Sequence, residues 1–147
     1  MPYEINGSKI LVTGGAGLVG SHIVDACINE GAKEVVVIDN LLRGKKRNLD
    51  GAFKSGNVKF IKVDITIPKD VNKAMKGCDY VFHEVAIRIT LCEEDLRLCQ
   101  KILVDGTFNV LEACIKNKIK KLVFASSASV YGESSYMPMD ENHPFNN

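Results

Sequence analysis

The chain has 147 residues, 46% apolar, 25% charged and 7% aromatic, and its 19 Lys and Arg against 18 Asp and Glu leave a net charge of +1. That length suits one domain, which buries roughly 68–70% of its unfolded surface and so can build a core without staples. The balanced charge excludes the basic footprint of a nucleic-acid binder, and no apolar run reaches the ~18–20 residues of a membrane span. The opening MPYEINGSKI lacks the basic-then-apolar layout of a signal peptide, so a cytoplasmic protein is expected.

Apolar runs alternate with helical patterns along the chain. Residues Lys9 to Thr13 form a short apolar run closed by glycines, as a buried strand would. From Leu18 to Glu30 the apolar residues Val19, Ile23, Ala26 and Cys27 recur at helical spacing, and Gly31 supplies a stop. Val35 to Ile38 is β-branched and continuously apolar, the pattern of a strand covered on both faces. Leu41 to Gly56 reads as a loop, and its basic residues Arg43, Lys45, Lys46 and Arg47 as a solvated surface, with contact to an anionic ligand as the minority reading. Val58 to Val63 is a third strand, Pro68 opens a helix running to about Lys76, and Tyr80 to Phe82 begins a fourth strand. A long helix is expected from Glu94 to Lys116, followed by a fifth strand from Lys121 to Ala125. This alternation predicts an α/β fold, a Rossmann-type doubly wound parallel sheet with strand order 3-2-1-4-5.

The five cysteines are odd in number and contain no C-x-x-C, so Cys27, Cys78, Cys92, Cys99 and Cys114 are expected as buried free thiols. His22, His83 and His143 show no metal-ligand spacing, and no metal is expected.

The stretch Thr13-Gly-Gly-Ala-Gly-Leu-Val-Gly20 lies between the first strand and the first helix. Gly14 permits a tight turn, Gly17 lets backbone approach a pyrophosphate, and Gly20 lets the helix pack close to the strand. Asp39 ends the second strand, close to the ~20 residues past the glycines expected of a ribose-binding carboxylate. A carboxylate there repels a 2′-phosphate, which favours NAD over NADP, although Arg43 and Lys45 stand near enough to accommodate that phosphate. A P-loop is excluded because Gly20 is followed by Ser21-His22 and not by Lys-Ser/Thr.

Four blocks in order, TGGAGLVGSHIV, VVVIDNLLRG, Asp64-Ile65 and VFASSASVYG, with GTFNVLEAC as a helical fifth, resemble the N-terminal half of the extended short-chain dehydrogenases/reductases. The likeness is to their NAD-dependent nucleotide-sugar epimerases and dehydratases. The resemblance implies that Gly14, Gly17 and Gly20, with the backbone of Leu18 and Val19, hold the pyrophosphate of NAD. It implies that Asp39 and Asn40 hold the adenosine ribose with Arg43 beside them, that Asp64 bonds the adenine amino group, and that Ile65 packs on the ring. Val85 and Ala86 would line the nicotinamide ribose, and Ser127 would bond the reacting oxygen of a nucleotide-sugar.

Two positions depart from the family pattern. Glu84 stands where Leu is usual and is expected at the strand end, exposed or paired with Arg88; Leu103 stands where relatives carry Asn. The Tyr-x-x-x-Lys pair that supplies the family's base is missing too: Tyr3, Tyr80, Tyr131 and Tyr136 are followed four residues later by Gly7, Glu84, Ser135 and Asp140. The chain thus reads as one incomplete NAD-binding domain over residues 1–147, a fragment that turns over no nucleotide-sugar alone. A stand-alone NAD(H)-binding sensor or interaction module is the alternative. The long helix resembles the family's dimerisation helix, and an unpaired fifth strand invites self-association, so a homodimer or self-associating chain is expected.

Overall fold

The computed structural model describes residues 4–146, so Tyr3 lies outside the described residues. Five strands form one parallel sheet: β1 (Lys9–Thr13), β2 (Glu34–Asp39), β3 (Val58–Lys62), β4 (Tyr80–His83) and β5 (Lys121–Phe124). Their spatial order is β3-β2-β1-β4-β5, as the alternating sequence pattern predicts. The chain therefore reverses direction across the sheet beside β1, and the carboxyl ends of β1 and β4 open a crevice there.

The burial pattern explains why these runs are strands. Leu11, Val36, Ile38 and Val81 face one side, packed with Val71 and Met75 of α3 (Pro68–Ala74) and its C-terminal edge and with Val110 and Ala113 of α6 (Thr107–Lys116). Ile10, Val12, Val35 and Val37 face the other side against Val24 and Cys27 of α1 (Leu18–Asn29) and against Leu49 and Ala52. Adjacent strand residues feed opposite cores, which is why β1 and β2 are apolar without interruption.

Two expectations of secondary structure are corrected here. The Leu41 to Gly56 stretch is not all loop: a 3₁₀ turn at Lys46–Leu49 runs into the single-turn α2 (Asp50–Phe53), because Leu49 and Ala52 plug the second core. The expected helix from Glu94 to Lys116 is broken at its start. A short α4 (Ile89–Glu94) ends at Asp95, whose non-helical backbone precedes α5 (Leu96–Gln100) and whose side chain accepts the Leu98 N–H at 2.9 Å. An acid whose side chain satisfies a leading N–H of a helix is an N-cap, so the chain starts a new helix there. From α5 the chain passes through a π-helical turn, Lys101–Gly106, into α6.

The cysteines divide. Cys92 and Cys99 form a disulfide that joins α4 to α5 across the break at Asp95, so neither is the free thiol the sequence led us to expect. Cys27 and Cys78 are buried free thiols, and Cys114 is a half-buried one. Among the described residues no helix is long and apolar enough to cross a membrane, and no group of three or more His, Cys, Asp or Glu could hold a metal ion.

Candidate dinucleotide site

A cavity of about 640 Å³ opens where the glycine turn after β1, the ends of β2 and β3 and the segment after β4 meet. All the residues expected to hold a dinucleotide line it: Gly14, Gly17, Leu18, Val19, Gly20, Asp39, Asn40, Arg43, Asp64, Ile65, Val85 and Ala86. Ser127 does not line it; it is exposed beyond β5, where its Oγ accepts the Ser129 N–H at 3.2 Å and caps a 3₁₀ turn at Ala128–Tyr131.

The glycine turn is set by close backbone approach. Gly14 has φ +66°, and a Cβ there would lie 3.0 Å from both the Glu84 carbonyl carbon and the Val85 nitrogen, so a side chain is disfavoured by backbone conformation and by space. Gly17 is the N-cap of α1 and carries no side chain to cap the first turn. The leading N–H groups, at Leu18 and Val19, border the cavity with the positive end of the helix dipole, and both side chains are exposed. That is an anion cradle in physical terms.

Asp39 is buried, and both its oxygens already serve backbone: Oδ2 accepts the Ala16 N–H at 3.1 Å and Oδ1 the Leu41 N–H at 2.7 Å. The carboxylate thereby ties the glycine turn to the loop after β2. Asp64 Oδ1 accepts the Thr66 N–H at 2.9 Å, and the Asn40 amide donates to Oδ2 at 3.4 Å. Burial raises the Asp64 pKa, but these hydrogen bonds and the charge of Lys101 outweigh it and hold the carboxyl below its ordinary value. Ile65 is buried against Gly106, where a Cβ would lie 2.6 Å from Ile65 Cδ1. The π-helical turn thus packs on the segment after β3, and its Ile102 also lines the cavity.

The basic cluster is not simply a solvated surface. Arg43, Lys45 and Arg47 border the cavity, and the loop is anchored by the Lys45 N–H and the Asn48 amide, each donating to the Ala16 carbonyl at 2.9 Å. Lys46 instead lies over the rings of Phe53 and Phe60. Glu84 stands at the end of β4 as expected, but it is neither exposed nor paired with Arg88. It lines the cavity half-buried, burial raises its pKa, and among the described residues no ion pair joins it to Arg88. Its N–H bonds both the Thr13 carbonyl and the Thr13 hydroxyl, which draws residue 84 in toward the end of β1.

Sequence reasoning overlooked Thr13 and His83. His83 is 1% exposed at the end of β4, with Nδ1 2.6 Å from Thr13 Oγ1 and Nε2 3.1 Å from Thr107 Oγ1. Its ring stacks on Phe124, and burial lowers its pKa to about 4. The available signal was a lone polar residue inside an apolar strand.

A doubly wound sheet with an uncapped glycine turn and an acid at the tip of β2 defines a dinucleotide-binding α/β protein. Residues 10–147 match the model of the NAD dependent epimerase/dehydratase family, and the chain belongs to that family, whose cofactor is NAD. It is 43% identical over 141 residues to a Methanocaldococcus jannaschii protein provisionally named a UDP-glucose 4-epimerase, covering 93% of this chain and 44% of that one. Among solved structures, it matches a UDP-N-acetylglucosamine 4-epimerase from Methanobrevibacter ruminantium at 38% identity and a TM-score of 0.83, covering 95% of this chain and 44% of that one. It also matches a Thermus thermophilus UDP-glucose 4-epimerase solved with NAD, at 36% identity and a TM-score of 0.80, over 92% and 43% of the two chains. The chain thus spans less than half the length of these relatives.

Proposed function

We propose that this chain is the NAD-binding part of a cytoplasmic nucleotide-sugar epimerase or dehydratase. The observation that carries the reading is convergence: the uncapped glycine turn, Asp39 and Asp64, far apart in sequence, border one cavity of about 640 Å³. Gly14, Gly17 and Gly20 leave room for a pyrophosphate, which the N–H groups of Leu18 and Val19 bind. Asp39 and Asn40 accept and orient the adenosine ribose, with Arg43 at the rim. Asp64 is held ionised and accepts from the adenine amino group, and Ile65 offers the ring an apolar face. Val85, half-buried, and Ala86, exposed, are both small and admit the nicotinamide ribose against backbone. Bound NAD supplies a reversible acceptor for hydride from a sugar carbon. Ser127 hydrogen-bonds the sugar oxygen from which the proton leaves.

Residues 1–147 act as the dinucleotide half and do not turn over a nucleotide-sugar alone, because none of the four tyrosines carries a lysine four residues later. β5 pairs only with β4 among the described residues, and Val123 and Phe124 are exposed along it, which favours self-association through that edge. Calorimetric titration of the chain with NAD and with NADP tests the proposal: NAD binds, and NADP binds more weakly. Absence of NAD binding by the folded chain overturns it.

A further inference from the structure

The buried His83 has no role in the site as described, yet it stands between the two segments that a bound dinucleotide would bridge. One is the turn entered from Thr13, where Gly14 begins the pyrophosphate cradle; the other is the exit from β4, where Glu84 leads into Val85 and Ala86. Thr13 and His83 are register partners on adjacent strands, and their side chains meet directly, Oγ1 to Nδ1, at 2.6 Å.

Counting protons assigns the direction of each bond. The Thr13 hydroxyl oxygen lies 3.3 Å from the Glu84 nitrogen and accepts its N–H. The single Thr13 hydroxyl proton is therefore available to His83 Nδ1, its partner on the other side. Nδ1 is then an acceptor, and the neutral imidazole carries its proton on Nε2, which faces Thr107 Oγ1 at 3.1 Å. With the proton on Nδ1 instead, Thr13 Oγ1 would receive two N–H donors and its own proton would have no partner among the described residues. Desolvation in the core, with Phe124 stacked on the ring, keeps the imidazole neutral.

We infer that His83 is a positioning residue for the dinucleotide site: as the Nε2–H tautomer it orients the Thr13 hydroxyl, which holds the Glu84 N–H and so sets the gap between the glycine turn and the β4 exit. That gap is already at its limit, since a Cβ on Gly14 would reach the Val85 nitrogen at 3.0 Å. The same ring reaches α6 through Thr107, so the sheet and the helix behind the cavity share one fixed point. The adenosine side of the cavity, built from Asp39 at the end of β2 and Asp64 just after β3, is outside this relay. This inference rests on the proposed NAD site, and its consequence is selective. His83 matters to a ligand that spans both walls and little to one that occupies the adenosine side.

The test compares NAD with AMP by calorimetry on the full chain and on three variants. Thr13→Val and His83→Leu are expected to raise the Kd for NAD about ten-fold, the loss of one buried hydrogen bond, while the Kd for AMP stays within about two-fold. His83→Asn retains an acceptor near the Nδ1 position and recovers most of the NAD affinity. Two measurements need no ligand: the imidazole nitrogen shifts of the wild-type chain report the Nε2–H tautomer, and the Glu84 amide, left in Thr13→Val with the Thr13 carbonyl as its one acceptor, exchanges its hydrogen faster than in the wild type. An Nδ1–H tautomer, an unchanged Glu84 amide, or equal weakening of NAD and AMP overturns the inference. If His83→Leu does not fold, Thr13→Val and His83→Asn decide it. A wild-type chain with the expected tautomer and no affinity for NAD overturns the proposed function instead and leaves only the hydrogen-bond relay.

Discussion

Gly20 in the first turn of α1 faces the carbonyl oxygen of Gly14, and a methyl group on Gly20 would overlap that oxygen. The obstacle is backbone, which cannot swing aside as a side chain can. The same methyl would lie 2.7 Å from Gly15 Cα, so α1 would have to lift away from the turn. Gly20→Ala is expected to destabilise the chain by about 1–3 kcal/mol, the cost of overpacking a fitted contact, and to weaken NAD binding with it. Gly51 in α2 is the control: nothing lies within 4 Å of its missing Cβ, so Gly51→Ala should stabilise by about 0.5–1 kcal/mol. Urea denaturation of the two variants checks both signs. A Gly20→Ala chain as stable as wild type would show that the turn relaxes freely.

Asp39 joins stability to recognition. Its two oxygens accept from Ala16 and Leu41, and Asn in its place must turn an NH₂ toward one of those donors. The variant also loses the charge that repels a 2′-phosphate, with Arg43, Lys45 and Arg47 already at the rim. Asp39→Asn is therefore expected to bind NAD about ten-fold more weakly, the scale of one charged hydrogen bond, and to narrow the preference for NAD over NADP. Paired titrations with the two dinucleotides measure this, and an unchanged ratio of affinities would remove Asp39 from the discrimination.

The sheet order was legible because β-branched runs and helical periods alternate along the chain, and the glycine turn because three glycines sit at a strand-to-helix junction. Asp39 was legible from its spacing, and Asp64 from the family resemblance. What escaped depends on contacts between distant segments. Asp95 looks like any surface acid within a helix until its side chain is seen on the Leu98 N–H. Cys92 precedes the expected helix and Cys99 lies inside it, and nothing local pairs them until the break at Asp95 sets α4 against α5. The π-helical turn ends at Gly106, which packs closely on Ile65, a contact invisible to local periodicity. Lys45 and Asn48 reach the cavity rim because they bond the Ala16 carbonyl across the glycine turn.

The cysteine chemistry is open to direct assay. Burial pushes the thiols of Cys27, Cys78 and Cys114 up to about 11, far from the thiolate form that alkylating agents need at neutral pH. Iodoacetamide at pH 7 should leave Cys27 and Cys78 unmodified in the folded chain. In denaturant without reductant, modification should reach the three free cysteines only, Cys27, Cys78 and Cys114. Adding a thiol reductant delivers two electrons and two protons to the Cys92–Cys99 bond, with the reductant leaving as its own disulfide, and all five cysteines are then modified. Peptide mapping by mass spectrometry reads each site. Five modified cysteines without reductant would contradict the disulfide.

His83 gives the fold a definite response to acid. Burial lowers its pKa from 6.5 to about 4, so between those values the unfolded chain binds a proton that the folded chain refuses. Stability from this group is complete above about pH 6.5 and is lost as pH falls toward 4, by about 1.4 kcal/mol per pH unit and about 3 kcal/mol across the window. Asp64 and Asp79 act in the same direction at lower pH: their folded pKa values lie below the ordinary 3.8, so their contribution fades chiefly as pH falls through those values. The His83 window therefore stands largely clear of theirs between pH 6.5 and 4.5. Over that range the wild-type chain should lose stability in urea titrations, while His83→Asn lacks this loss and keeps only contributions common to both chains, among them Glu84, whose raised pKa acts in the opposite direction. The variant is less stable than wild type at pH 7, and the two converge as the pH falls. Parallel pH profiles for the two chains would mean that His83 takes up a proton as readily in the fold as in the unfolded chain, against the lowering of its pKa by burial.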